Sequence, residues 1–251
     1  MIPFFVVPPL QLGPIALQPF GILSASGILL ASWLLAREAR RRGLDPAPLE
    51  KLASWAVVGG IIGAHLVHLL AYHPEELREN GVLQLLKVWD GLSSTGGVIG
   101  GIIGSIAFLK RRGISFSTYA DVFALAVPPG WAVARLGCFS VHDHPGVLTH
   151  FFLAVAFPGG PRHDLGLYDA IVLAGITVVI FALDRRQKLQ ARLLPLVALL
   201  YGGCRFGLDF LRARDLPYSD ARYFGLTPAQ YGALALVIFG AWQLARRRGA
   251  R

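Results

Sequence analysis

Seven stretches of the chain, residues 16–36, 52–72, 92–109, 119–137, 167–183, 193–211 and 227–245, are each long and apolar enough to cross a lipid bilayer as a helix. A hydrocarbon core about 30 Å thick takes about 20 mostly apolar residues. Inside it every backbone N–H and C=O needs a partner from the protein itself, which a helix supplies along its own length. The expected fold is therefore an all-α integral membrane protein with seven transmembrane helices. The third and fourth stretches, with paired glycines and with Pro128 and Pro129, leave room for broken helices where protein covers the backbone. Of the 251 residues 54% are hydrophobic and 16% charged, against roughly a quarter charged in a soluble domain. That balance excludes a soluble enzyme, a disordered chain and a disulfide-stapled secreted scaffold.

The positions of the basic residues orient the chain. The net charge of +9 would point to nucleic acid in a soluble protein, but here Lys and Arg stand in short runs between apolar stretches. Arg37, Arg40, Arg41, Arg42 and Lys51 follow the first span and Lys110, Arg111 and Arg112 the third; Arg185, Arg186, Lys188 and Arg192 follow the fifth, and Arg246, Arg247, Arg248 and Arg251 the seventh. The alternate connections hold only Arg78, Lys87, Arg162, Arg212, Arg214 and Arg222. The positive-inside rule then puts the N-terminus outside and the C-terminus in the cytoplasm. The bilayer, not nucleic acid, is the partner. Met1 to Pro14 has no basic run and carries four prolines, which does not read as a cleavable signal peptide.

A single transmembrane domain, 1–251, is expected, with an outward-facing loop region at 138–166. A short interfacial helix is expected near 82–89, where Val82, Leu83, Leu85, Leu86, Val88 and Trp89 form an apolar pattern. Gly59-Gly60, Gly96-Gly97, Gly100-Gly101 and Gly202-Gly203 lie inside spans, where small residues let helices approach closely. Cys138 and Cys204 form no CxxC pair.

Two arginines stand apart from the connecting charges. Arg135 in AVARLGCF and Arg205 in LLYGGCRFGLDFL lie among apolar neighbours near the outer ends of their spans. A charge there costs a few kcal/mol unless it meets a partner or a polar cavity. Arg205 could pair with Asp209 at i,i+4, or both guanidiniums could bind a phosphate. The outward loop adds His142, Asp143 and His144, then Arg162, His163, Asp164, Tyr168 and Asp169. Imidazoles titrate near neutrality and suit acid–base work. His142 and His144 could ligate zinc, but the i,i+2 spacing with no HExxH motif argues against it, and no metal is expected. His65 and His68, one turn apart, line the same cavity or pack against polar neighbours.

These residues sit in a series of segments that resembles the prolipoprotein diacylglyceryl transferase family. Gln18-Pro-Phe-Gly looks like its opening segment. Trp89-Asp-Gly-Leu-Ser-Ser-Thr-Gly-Gly-Val-Ile-Gly is similar to W-x-G-G-M-S-F-H-G-G-x-I-G, and Pro129 to Phe139 resembles the signature with core R-x-G-N-F. Arg162 to Asp169 resembles R-H-P-x-Q-L-Y-E, Tyr201 to Phe210 resembles Y-x-x-x-R-F-x-x-E-F, and Gly225-Leu-Thr-Pro-Ala-Gln resembles G-L-x-x-x-Q. The resemblance implies a multi-pass enzyme of the bacterial cytoplasmic (inner) membrane. Such an enzyme moves the diacylglyceryl group of phosphatidylglycerol to the lipobox cysteine of a prolipoprotein signal peptide, releases glycerol phosphate and needs no cofactor. It implies Arg135 and Arg205 as the residues that bind the phosphate and stabilise its charge. Tyr201, Asp209, Tyr168, Asp169, Thr95, Gly96 and Gly97 are implied on the substrate.

The chain departs from that pattern at telling places. The family histidine before Gly-Gly is Thr95, the asparagine of R-x-G-N-F is Cys138, and the acidic residues of three segments are Asp143, Asp169 and Asp209. Threonine accepts no thiol proton near neutral pH, and a thiol must ionise to attack. Two readings follow. In one, His142, His144 or His163 supplies the base beside Asp143. In the other, the chain is a relative acting on another acceptor, or a lipid-binding protein without catalysis. A transporter is less well supported, because the charges gather at one face and no inverted repeat is visible.

Overall fold

The computed structural model describes residues 1–13, 15–88, 91–217 and 219–246, without the side chains of Leu12, Ile15 and Ser94. The apolar stretches fold into helices α1 (Pro19–Arg41), α2 (Ala47–Val67), α4 (Ser94–Arg111), α5 (Phe116–Val141), α6 (Leu165–Arg185), α7 (Leu193–Leu208) and α8 (Pro228–Arg246), with a short α3 (Pro74–Asn80) after the second. A π-helical turn at His68–Tyr72 continues α2, and a 3-10 turn at Asp209–Leu211 continues α7.

Among the described residues five helices are long and apolar enough to cross a membrane: α1, α2 with its continuation, α5, α6 and α7 with its continuation. The chain is thus a multi-pass membrane protein. Helices α4 and α8 occupy the third and seventh expected spans but are less apolar. Five glycines and the terminal Lys110-Arg111 dilute α4, and Pro228, Gln230, Tyr231 and Gln243 dilute α8. The outward faces carry exposed apolar side chains such as Leu29, Ile103, Val178 and Ile238, as expected where lipid replaces water.

Glycine governs how these helices pair. A Cβ on Gly27 of α1 would lie 2.3 Å from the carbonyl oxygen of Gly130 on α5, and one on Gly63 of α2 would lie 2.5 Å from that of Gly96 on α4. Backbones this close tolerate no side chain at the crossing, the small-xxx-small mode of membrane helices. Helix α8 packs in the same way along α7, with Gly240 against Pro195 and Leu199.

The structure amends the all-α expectation at one end of the bundle. Strands β1 (Ile2–Pro3), β4 (Pro145–Leu148), β5 (Val155–Ala156) and β6 (Arg162–Asp164) form a sheet in the order β1-β5-β6-β4, with β1 parallel to β5 and the other pairs antiparallel. Strands β2 (Leu10–Leu12) and β3 (Ile15–Leu17) form a separate antiparallel hairpin. Residues 138–141 of the expected loop complete α5, and the sheet takes up much of the rest. Between 82 and 89 the chain forms a 3-10 turn, Val82–Leu86, with Val82, Leu83 and Leu86 exposed. Gly81 at φ 69° separates it from α3. Trp89, Arg247, Arg248 and Arg251 lie outside the described residues.

Candidate active site

At the end of the bundle capped by the sheet, α5, α6 and α7 bring three buried ions together. Arg135 is 3% exposed, Arg205 6% and Asp169 0%. One oxygen of Asp169, Oδ2, lies 3.3 Å from Arg135 Nε and 3.5 Å from Arg205 Nη1. The two arginines therefore meet on one carboxylate. Arg205 Nη2 also pairs with Asp209 Oδ1 at 2.9 Å, one helical turn further along α7.

Asp209 is held from a second direction. Thr227 donates its hydroxyl to Asp209 Oδ2 and accepts the Gln230 backbone N–H at 3.2 Å, while Gln230 Oε1 accepts the Thr227 N–H at 3.0 Å. This reciprocal pair is a capping box at the start of α8, so the Gly-Leu-Thr-Pro-Ala-Gln segment both begins a helix and fixes a buried acid. Arg212 pairs with Asp220 and reaches to 3.8 Å from Asp209.

The cluster is matched in charge but not saturated in hydrogen bonds. Arg135 Nε, Arg205 Nη1, Arg212 Nη1 and both oxygens of Asp169 are buried without a well-formed hydrogen bond among the described residues. Unspent guanidinium N–H donors in a dry site are costly unless a further acceptor arrives, and a phosphate oxygen is such an acceptor.

The histidines separate into three environments. His144 Nε2 lies 3.2 Å from Arg135 Nη1, and its Nδ1 2.9 Å from Asp143 Oδ1. Guanidinium only donates, so Nε2 is the acceptor in its contact with Arg135. His142 is buried at φ 51°, its Nδ1 2.7 Å from Asp164 Oδ2 and its ring between Phe4, Phe5, Phe139 and Phe157. Asp164 also caps α6 through the Leu167 N–H at 3.0 Å, so His142 ties the end of α5 to the start of α6. Burial raises the Asp164 pKa, and the bond from His142 works against that rise. His163 meets the Tyr168 hydroxyl at 2.9 Å, and burial lowers its pKa.

Tyr201 is buried with its ring 4.6 Å from that of Trp131, whose face Arg135 covers at 5.8 Å. Thr95 lies in the first turn of α4, beside Gly232 of α8. Its hydroxyl meets Tyr72 at 3.1 Å, and Tyr72 is within electrostatic reach of Asp209, Arg212 and Asp220. Gly96 and Gly97 face α2 at the helix crossing, near Gly63, Val67, Gly60 and Ala64. Cys138, Asp143 and His144 bring ligand atoms within 4.8 Å of one another. Arg135 Nη1, 3.7 Å from the sulfur and 3.2 Å from His144, already supplies a cation there. Sequence reasoning assigned Arg212 to a loop and passed over Trp131, Thr227 and Gln230. The i,i+3 step from Asp209 to Arg212 and the T-x-x-Q pattern were the available signals.

A buried arginine pair at one end of a multi-pass helical bundle, with N–H donors unspent and a histidine alongside, is the site this fold presents. A family model described as prolipoprotein diacylglyceryl transferase matches residues 9–246. Among relatives bearing the name phosphatidylglycerol–prolipoprotein diacylglyceryl transferase, that of Chromohalobacter salexigens is 30% identical over 237 residues, covering 92% of this chain and 88% of its own. That of Methylococcus capsulatus is 30% identical over 237 residues, covering 91% and 90%. That of Pseudomonas paraeruginosa is 31% identical over 240 residues, covering 92% and 89%. The chain belongs to the prolipoprotein diacylglyceryl transferase family.

Proposed function

We propose that this protein transfers the diacylglyceryl group of phosphatidylglycerol to the lipobox cysteine thiol of a prolipoprotein signal peptide, forming a thioether and releasing glycerol phosphate. The observation that carries this reading is the convergence of Arg135 and Arg205 on Asp169 with N–H donors left over. Asp169 and Asp209 hold the guanidiniums apart and in place before substrate arrives. The head-group phosphate takes the free donors, and as the glyceryl carbon–oxygen bond breaks, the charge gathering on the leaving phosphate is met by groups already oriented. Tyr201 and Trp131 back the arginines, and Tyr168 stands with His163 at the rim. Thr95 and Tyr72 border the head-group space from the α2–α4 pair.

The enzyme works in the bacterial inner membrane with seven spans, α4 and α8 serving as the third and seventh. Each pairs with a more apolar helix, α4 with α2 and α8 with α7, which supports a spanning position despite a weaker hydropathy. The N-terminus lies outside and the C-terminus in the cytoplasm. A periplasmic reporter fused after Gly160 should be active and one fused after Gly113 inactive; the reverse result would overturn the orientation.

Purified protein incubated with labelled phosphatidylglycerol and a lipobox peptide should raise the peptide mass by one diacylglyceryl group. Folded protein that leaves the peptide unchanged sinks the proposal. The second reading, a relative with another acceptor, draws on Cys138 and Thr95 standing where the family has asparagine and histidine. Rescue of a strain depleted of its own transferase excludes it.

A further inference from the structure

The geometry points to His144 as the general base for the acceptor thiol, kept capped by Arg135 until a lipid phosphate uncaps it. This rests on the transferase reading above. Of His142, His144 and His163, His144 is the one that touches the arginine pair: Nη1 of Arg135 lies 3.2 Å from Nε2. His142 is enclosed by phenylalanine rings and clamped to Asp164, and His163 is turned to Tyr168. The Nε2 lone pair of His144 faces the guanidinium that would grip the phosphate, so base and electrophile would be held by one residue. Proximity of that kind lowers a barrier before any chemistry occurs.

The lone pair is occupied by an Arg135 N–H. A phosphate oxygen is a stronger acceptor than a neutral imidazole, so lipid binding draws Nη1 away and frees Nε2. The base therefore becomes competent when the electrophile is in place. Asp143 Oδ1, 2.9 Å from Nδ1, then stabilises the imidazolium that forms. Around the ring stand Arg135 and Cys138 from α5, Asp143 in its own loop, Asp164 at the start of α6, and Asp169 behind Arg135.

The step balances as follows. The thiol proton passes to His144 Nε2, and the sulfur pair forms the S–C bond to the glyceryl carbon. The C–O bond to the phosphate breaks with both electrons going to oxygen. Glycerol phosphate leaves with a second negative charge and takes the proton back from the imidazolium.

His144→Gln keeps an acceptor for Arg135 but cannot take a proton. With a cysteine lipobox peptide the variant should lose about 100-fold or more in kcat, the span of general-base catalysis. With the same peptide carrying selenocysteine, whose selenol is ionised at neutral pH, it should return close to the wild-type rate. Equal activity of wild type and variant on the cysteine peptide overturns the assignment, and so does a loss of equal size on both peptides, since that marks a structural role. Wild-type protein inert on the cysteine peptide instead sinks the transferase reading, a separate outcome.

Discussion

Two clusters that pair arginines with buried acids lie at opposite ends of the bundle, and they differ in how completely those acids are satisfied. Their positions on α5, Asp121 and Arg135, are 14 residues apart in the sequence, or about 21 Å at the helical rise. At the Asp121 end, Asp184 takes a hydrogen bond from Arg41 and another from Arg42, and Glu38 accepts from Arg41 at 2.6 Å. Asp121 accepts the backbone N–H groups of Ala191 and Leu193. The carboxylates there are consumed in tying α1, α5, α6 and the start of α7 together. At the Arg135 end both oxygens of Asp169 and a nitrogen on each of three arginines lack a well-formed bond among the described residues. Arg42 Nε is unbonded at the first end too, so the two differ chiefly in the shared acid, bonded at both oxygens in Asp184 and at neither in Asp169, and in three unspent arginine nitrogens against one among the described residues. On the transferase reading the same residue types make a staple in one place and a receptor in the other.

The sharpest way to break that contrast is to remove an arginine from each cluster. Arg135→Ala or Arg205→Ala should lower transfer by about 10²–10³-fold or more, the cost of losing a preorganised charge partner in a transition state. Arg41→Ala should leave the turnover of folded protein close to wild type. If Arg41→Ala lost turnover to the same degree, the division between staple and receptor would fail.

Removing the shared acid compares the clusters by stability. Asp169→Asn leaves two buried guanidiniums short of a counter-charge, and Asp184→Asn does the same to Arg41 and Arg42 at the other end. Orphaning a buried charge costs about 3–5 kcal/mol. Asp184 has the more exposed partners, with Arg41 44% and Arg42 21% exposed at the side chain, so the loss in thermal stability in detergent should be larger for Asp169→Asn. The opposite order would mean that the Asp169 cluster is held by something other than its ion pairs.

Much of this was legible in the sequence, for physical reasons that also explain what was not. Arg135 and Arg205 stood out because a charge within an apolar run has few explanations. The paired glycines pointed to close helix contact, and the structure bears that out at Gly59 and Gly100. The sheet escaped notice because β5 and β6 are two and three residues long and β1 pairs with β5 by setting Ile2 against Val155, a non-local contact without a local signal. Asp169 as the common partner of the arginines was not foreseen: the sequence placed it among the acid–base groups and, through resemblance, on the substrate, and nothing in LGLYDAIV says which way its carboxylate turns. The separation of the three histidines was invisible for the same reason: His142 and His144 are two residues apart, yet the left-handed backbone at His142 turns one ring into a phenylalanine cage and leaves the other on Arg135.

A smaller effect tests the link between α8 and the receptor cluster. Thr227→Ala removes the cap of α8 and the hydroxyl that Asp209 accepts. A lost cap alone costs about 0.5–2 kcal/mol, while Thr227→Ser keeps the oxygen and should recover most of it. If Asp209 positions Arg205 as argued, Thr227→Ala should also raise the KM for phosphatidylglycerol, and Thr227→Ser should not. A stability loss with no change in KM would confine Thr227 to capping.

The smallest expected effect comes from a pair that lies near the receptor but is saturated like the staple. Arg162 Nη1 donates to the Gly146 carbonyl oxygen and to Asp215 Oδ1, each at 3.0 Å, binding β6 to β4 and to the segment after α7. The guanidinium holds the Asp215 carboxyl down at about 2 against an ordinary 3.8. A depressed acid pKa means that the folded state favours the ionised form. The stabilisation is therefore complete above about pH 4 and is lost as pH falls through 3.8 towards 2. Asp215 is exposed, which keeps the effect small. Asp215→Asn should lower Tm slightly at pH 7, and the gap to wild type should close by pH 2, with transfer at pH 7 unchanged. A gap that persists undiminished in acid would show that charge is not what the pair contributes. A fall in transfer at pH 7 would extend the receptor outward to Arg162, and nearness to the site would then matter more than saturation.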